Sequence, residues 1–226
     1  MTPERARCLE ALARLILRVE RAHPVRVAID GPDAAGKTIL ADELAPLLER
    51  SGRPVVRASV DGFHRPRAER YARGPESAEG YYFDSFDYPG LRAALLDPLG
   101  PGGDRQYRRR VFDVQTDEPV AAPTETAPAN AILVLDGVFL LRRDLIDLWD
   151  FSVFVAVTFA ETQRRAAARD AALLGSEEAV RHRYAVRYVP GQQLYYGRAH
   201  PQQKADAVID NEDPDRPSLR LSELRA

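Results

Sequence analysis

The chain has 226 residues, 45% hydrophobic and 29% charged, with a formal net charge of −2; that is enough for a single domain with a small insert. The charge balance argues against a nucleic-acid partner or an anionic membrane surface. The single cysteine, Cys8, excludes an internal disulfide, and no apolar run approaches the ~20 residues of a membrane span. The opening "MTPERARCLE" lacks the apolar core of a signal peptide, so the expectation is a cytoplasmic protein.

Residues 4–22 place Cys8, Leu12, Leu15, Ile16 and Val19 at helical spacing, which predicts an amphipathic helix. "VRVAID" (25–30) reads as a buried strand. "TILADELAPLLER" (38–50) reads as a helix with Leu40, Leu44, Leu47 and Leu48 on one face. "PVVRASV" (54–60) is a second strand. The segment 61–110 is aromatic, charged and rich in turn residues. "RQYRRRVFDVQ" (105–115) alternates loosely and fits one arm of a hairpin. The Pro/Ala-rich stretch 118–131 reads as a loop. Third and fourth buried strands fall at 131–141 and 150–157, helices at 160–174 and 179–189, and a short fifth strand at 205–210. The polar tail, 211–226, reads as irregular.

Apolar Val/Ile runs alternating with helices imply an α/β fold with a parallel sheet covered on both faces. Such sheets bind ligands at the carboxyl ends of their strands. Here these ends carry Asp30-Gly31, Asp61-Gly62 and Asp136-Gly137.

Gly31, Gly36, Lys37 and Thr38 meet the pattern G-x-x-x-x-G-K-[ST] between a predicted strand and a predicted helix. Glycines let successive N–H groups converge on phosphate, and the helix adds its positive end. Lys37 would reach the β- and γ-phosphates, and the Thr38 hydroxyl would ligate Mg²⁺. Asp33, Ala34, Ala35 and Ile39 complete the nucleotide cradle. Among 32 basic residues only Lys37 and Lys204 are lysines, and a lysine kept in so arginine-rich a chain suggests chemistry that arginine does not copy. Neither lysine follows an asparagine, so the guanine-reading Asn-Lys-x-Asp of GTPases is absent. No acid follows Asp136, as it would in a motor ATPase.

Kinase chemistry needs a base for the acceptor hydroxyl. Asp61 in "SVDGFHRPR" (59–67) is the candidate, with Phe63 and His64 walling an acceptor pocket; a plain Asp-Gly turn is the alternative. Asp136 is placed to hold Mg²⁺. Arg165 and Arg169, four apart on one helix face, would clamp the transferring phosphoryl group, or else lie on a solvated face. Arg108, Arg109 and Arg110 would hold a phosphate already on the acceptor, or form a solvated hairpin edge.

"GPDAAGKT", "DGFH", "FDYP" (86–89), "VFD" (111–113), "RRAAARD" and "HPQQKADAVI" (200–209) occur in one order. This set, spanning about residues 25–210, resembles the uridine kinase and phosphoribulokinase family of P-loop kinases, nearest the uridine-cytidine kinases. The resemblance implies a P-loop fold: a five-stranded parallel sheet, a hairpin insert near 100–125 and a helical lid near 160–185. It implies ATP and Mg²⁺ as cofactors and a small-molecule acceptor, with self-association left open. By the resemblance Asp61 is the base and lies close to Mg²⁺, and Asp87 binds ribose hydroxyls. By the same resemblance Phe112 and His64 line the acceptor site and Asp206 lies near the adenine. In "EGYYFDSFDYP" (79–89) Tyr81, Tyr82, Phe83, Phe86 and Tyr88 offer faces for a stacked ring or else fill core beneath a loop, and Tyr107 is expected at the acceptor site. The family's pyrimidine-reading His has no counterpart near Thr116 and Asp117, and its first lid Arg falls at Thr162. Kinases of pantothenate, nicotinamide riboside, sugars or other small alcohols therefore remain open, as does a nucleotide-binding regulator without transfer activity. Asp33, an anion within the phosphate loop, is expected to turn toward a lid arginine or a loop N–H.

Overall fold

The computed structural model describes residues 1–222, and of Leu173 and Leu174 the backbone alone. Helix α1 (Pro3–Leu17) starts at Thr2, whose hydroxyl accepts from the Arg5 N–H, with Pro3 in the first turn. It buries Cys8, Leu9, Leu12, Ala13 and Ile16. Strand β1 (Val25–Asp30) is buried throughout and runs into the glycine loop and helix α2 (Lys37–Glu49). Strand β2 (Val55–Ser59) follows, then a 3₁₀ turn at Val60–Phe63 and helix α3 (Ala78–Asp84). Strands β3 (Ile132–Gly137) and β4 (Phe151–Ala156) lead to α4 (Phe159–Leu174) and α5 (Glu177–Arg183). A π turn at Tyr184–Tyr188 continues into α6 (Val189–Ala199). Strands β5 (Ala207–Asp210) and β6 (Ser218–Leu221) complete the sheet.

The sheet order is β6-β5-β4-β1-β3-β2. Every pairing is parallel except β5 with β6. Side chains alternate between faces as the pleat requires. Val25, Val27, Ile29, Val134 and Val153 pack with α1 and α2 residues such as Leu12 and Leu44. Ala28, Leu133, Leu135 and Phe154 pack on the other face with Tyr81, Phe139 and Tyr195. Among the described residues no helix is long and apolar enough to cross a membrane.

The α/β reading holds, with four differences. The tail is not irregular throughout: Ser218–Leu221 pairs antiparallel with β5, making six strands rather than five; residues 223–226 lie outside the described residues. The 118–131 stretch is not all loop, because Glu118–Pro119 pairs with Phe112–Asp113 and Glu125–Thr126 with Gln106–Tyr107. Within 61–110, "AEGYYFD" forms α3 behind a Ser77 N-cap. Residues 189–199 form helix α6 beyond the predicted 179–189 helix; Pro190 sits in its first turn, where proline is tolerated.

Candidate active site

The glycine loop leaves β1 at Gly31, where an added Cβ would lie 2.6 Å from the Val155 carbonyl oxygen on β4. Only glycine fits against that strand. Ala34 and Gly36 take left-handed conformations, φ 58° and 90°. The N-terminus of α2 has no side-chain cap, so its first N–H groups face the loop's concavity. Lys37 is buried, and its Nζ donates to the Pro32 carbonyl at 2.7 Å, folded over the loop. Ala35 is fully buried beneath the loop, and its carbonyl accepts from Asn211 Nδ2 at 2.7 Å.

A cleft of about 380 Å³ opens in front of this loop. Asp33, Ala34, Lys37, Thr38, Asp61 and Asp136 line one end. Thr38 Oγ1 donates to Asp136 Oδ2 at 2.6 Å, and Arg57 Nη2 donates to Oδ1 at 3.0 Å. Among the described residues no three His, Cys, Asp or Glu side chains form a metal cage. A hydroxyl beside one or two carboxylates, completed by phosphate and water, nonetheless suits Mg²⁺, so Thr38, Asp136 and Asp61 fit that ion.

Asp61 sits in the 3₁₀ turn after β2 rather than on the strand end. The Gly62 behind it is needed for packing, since a Cβ there would lie 2.6 Å from Arg110 Cβ in the hairpin insert. The Asp61 carboxylate keeps solvent access through the cleft mouth. Crowding by the cleft walls nevertheless raises its pKa, with Asp33 and Asp136 pushing the same way and His64 and Lys37 opposing. Burial lowers the His64 pKa against the pull of Asp61. The His64 ring packs against Phe86 with centroids 4.5 Å apart and planes tilted by 47°, and its Nδ1 lies 2.9 Å from the Asp61 carbonyl.

Asp33 has partners other than those expected. Tyr81 donates its hydroxyl to Asp33 Oδ2, and Gln192 Nε2 donates to the same oxygen at 2.6 Å. No lid arginine or loop N–H takes it. The loop is thereby tied to α3 and α6. Burial, reinforced by Asp33, raises the Tyr81 pKa well above the ordinary phenol value.

Several expected acceptor residues are not in the cleft. Phe63 is fully buried in the core. Asp87 accepts from the Gly90 N–H at 3.0 Å and caps a helical turn. Tyr88 packs beneath Arg142, 4.3 Å from its ring centroid, and lines a different hollow. Tyr107 bonds Glu125 at 3.2 Å in the insert, and Phe112 is buried in its ladder. Val114 lines the cleft instead, as do Phe86, His64, Arg70, Tyr81, Tyr184 and Tyr188. Aromatic composition marks the region but not which faces stay open.

Asp206 is also misplaced. It accepts from the Ser152 N–H and hydroxyl, both at 2.8 Å, at the amino end of β4, away from the loop. Asn211, just past the carboxyl end of β5, takes the position near the loop. It lines a second cavity of about 460 Å³ with Ala34, Gly36, Ile39, Arg165 and Pro214. Arg5 on α1 donates to Asn211 Oδ1 at 3.3 Å and to the Pro214 carbonyl at 2.9 Å. The position of Asn211 after a strand is legible in sequence; its partners, far along the chain, are not.

The two lid arginines lie on one side of the loop. Arg165 binds Glu161 at 2.8 Å and the carbonyls of Asn211 and Glu212 at 2.8 and 3.0 Å. Arg169 lines both cavities and pairs bidentately with Asp170 at 2.7 and 2.9 Å. Both are engaged within the protein, and either would have to change partners to clamp a phosphoryl group.

No protein-family model matches the chain, and no curated protein matches it in sequence. Solved structures do. A possible uridine kinase from Bacillus stearothermophilus superposes with a TM-score of 0.72 at 24% identity, covering 91% of this chain and 98% of that one. A candidate fructose transport system kinase from a Silicibacter species gives 0.72 at 23% identity, covering 84% and 95%. D-glycerate 3-kinase from Cryptococcus neoformans gives 0.54 at 13% identity, covering 91% and 92%. The chain has the fold of these P-loop kinases.

Proposed function

We propose that the protein is an ATP- and Mg²⁺-dependent kinase that transfers the γ-phosphoryl group to a hydroxyl of a small molecule. The observation that carries this reading is Asp61: a carboxylate with raised pKa, open to solvent, in one cleft with the glycine loop and the Thr38–Asp136 pair. A carboxylate whose pKa is raised is a stronger base for taking a proton from an alcohol.

In this reading the acceptor oxygen attacks the γ-phosphorus while Asp61 takes its proton. The new P–O bond forms as the bond to the bridging oxygen breaks and ADP leaves. Lys37 exchanges the Pro32 carbonyl for phosphate oxygens, and the α2 N-terminus faces the same charge. Thr38 and Asp136 would hold Mg²⁺, which when bound neutralises charge on the phosphates. Asn211, Ile39 and Arg165 border the cavity assigned to the nucleobase. Arg169, reaching both cavities, is placed to turn from Asp170 to the transferring phosphate.

A nucleoside-like acceptor is supported by the ring faces of His64, Phe86, Tyr81, Tyr184 and Tyr188 that line the cleft. Asp87 and Phe112, engaged elsewhere, lend it no support, which keeps other small alcohols as the second reading. The test is an acceptor panel with ATP, read by ADP release, with Lys37→Ala as control. Acceptor-stimulated ADP release that vanishes in Lys37→Ala is expected. Slow hydrolysis that no acceptor stimulates would point to a regulator instead.

A further inference from the structure

Asp33, Asp61 and Asp136 line the cleft together with Lys37 and Arg169 of the phosphate-binding side, and Arg70 lines it close enough to His64 to act on that ring. Arg70 ends a single helical turn, Arg67–Arg70, placed by Asp117 of the hairpin tip, which accepts from the Arg67 N–H at 2.8 Å and from Arg70 Nη2 at 2.9 Å. The Arg70 side chain is 11% exposed, and its Nε is buried without a partner. An unpaired N–H of a charged group is costly to bury.

Arg70 does not stand alone. The guanidiniums of Arg67, Arg70, Arg183 and Arg187 lie 4.8 to 5.7 Å from the centroid of one ring, Tyr71. Among the described residues only Arg70 of these four has an ion pair, with Asp117. Arg187, 3% exposed, is held by the carbonyls of Gly74, Pro75, Ser77 and Arg70, none of which carries charge. The Arg183 Nε is likewise buried and unpartnered. Four cations against one carboxylate leave a positive field around Tyr71, and of the four Arg70 lines the cleft. By contrast, Arg109 of the insert is paired with Glu125 at 2.7 Å, and the Arg108–Arg110 run does not line the cleft.

We propose that the acceptor carries an anionic group, a carboxylate or a phosphate monoester, which Arg70 binds in the cleft while Asp61 deprotonates the hydroxyl. This deepens the kinase reading and rests on it for the identity of the cleft. One guanidinium edge is already aligned by Asp117, so the anion meets a pre-oriented donor.

The test uses the full-length protein loaded with Mg²⁺ and a non-hydrolysable ATP analogue, which fills the phosphate loop. Calorimetry compares glycerol with D-glycerate for the carboxylate arm, and ribose with ribose 5-phosphate for the phosphate arm. The anionic member of at least one pair should bind about 10- to 100-fold tighter than its neutral counterpart, as for a charge-assisted hydrogen bond. Arg70→Gln should bring that ratio to near one, and Arg70→Lys should keep part of it. Equal binding within both pairs, no anion binding, or a ratio that survives Arg70→Gln overturns the proposal. If Arg70→Gln does not fold by circular dichroism, Arg70→Met is measured in its place against the same criteria. ADP release with the same four compounds separates the two readings. Turnover of neutral acceptors alone would sink the anion proposal and leave the kinase. Arg70-dependent anion binding without turnover of any acceptor in the wider panel would leave the anion site and remove the kinase.

Discussion

Gln192 and Asp33, 159 residues apart in sequence, meet through a 2.6 Å hydrogen bond from Nε2 to Oδ2. With Tyr81 on the same oxygen, this holds a carboxylate inside the phosphate loop and close enough to Asp61 to raise its pKa, second only to burial among the raising influences. Asp33→Asn keeps an oxygen acceptor for both partners and removes the charge. Asp61 would then ionise more easily, so the acidic limb of the kcat/KM–pH profile should move to lower pH. A limb that stays in place would show that Asp33 does not act on the base.

Asp61→Asn removes the proton acceptor without removing a hydrogen-bonding side chain. Loss of general-base catalysis lowers kcat by about 10²- to 10⁴-fold. ATP affinity, measured by calorimetry, should change by less than about threefold, because the loop contacts are untouched. Normal turnover would refute the assignment.

Thr38→Val and Asp136→Asn test the proposed ion. Each should raise the Mg²⁺ concentration needed for half-maximal turnover by about tenfold or more. Asp136→Asn also loses the ion pair with Arg57, so its thermal midpoint should fall, and that of Thr38→Val should fall less, through loss of the hydrogen bond to the same carboxylate. An unchanged Mg²⁺ dependence in both variants would remove these residues from the ion's surroundings.

Asp30, fully buried, accepts from the Tyr195 hydroxyl and from the Leu140 N–H at 3.4 Å. Burial pushes its pKa up to about 6, against Tyr195, the Gly31 N–H and Lys37. The folded value is above the unfolded value of about 3.9, so the folded state binds more protons between the two. The favourable contribution is therefore present below about pH 4 and is lost as pH rises through about 6, for a total of about 3 kcal/mol. Asp30→Asn should gain stability relative to wild type by about that amount between pH 4 and pH 7. Parallel stability curves in urea, with no pH-dependent gap, would contradict the buried ionisation.

The glycine loop, the strands around it and the two loop-facing acids Asp61 and Asp136 were legible because each depends on neighbours within a few residues. Gly31 to Thr38 is a local pattern, and an apolar run followed by Asp-Gly needs no distant partner to be recognised. The choice among aromatic side chains was not legible. Phe63, Tyr88, Tyr107 and Phe112 have the composition of a binding pocket yet fill core or hairpin, while Phe86, Tyr81, Tyr184 and Tyr188 line the cleft. A large ring is as favourable in a core as in a wall, so only the packing of the insert against the 3₁₀ turn separates them. The same holds for Asp87, whose oxygen is taken by the Gly90 N–H, and for Asp206, held by Ser152.

The sequence by itself determined a parallel α/β sheet with a phosphate loop on its first strand and acids at the strand ends, since periodicity and loop spacing are covalent properties of the chain. Tertiary structure decided the rest: that Asp33 is held by Tyr81 and Gln192, that Asn211 braces the loop at Ala35 from 176 residues away, and that Arg70 rather than the Arg108–Arg110 run faces the cleft. Each of these depends on which charges and hydrogen-bonding groups remain unpaired once distant segments meet, and chain order does not contain that information.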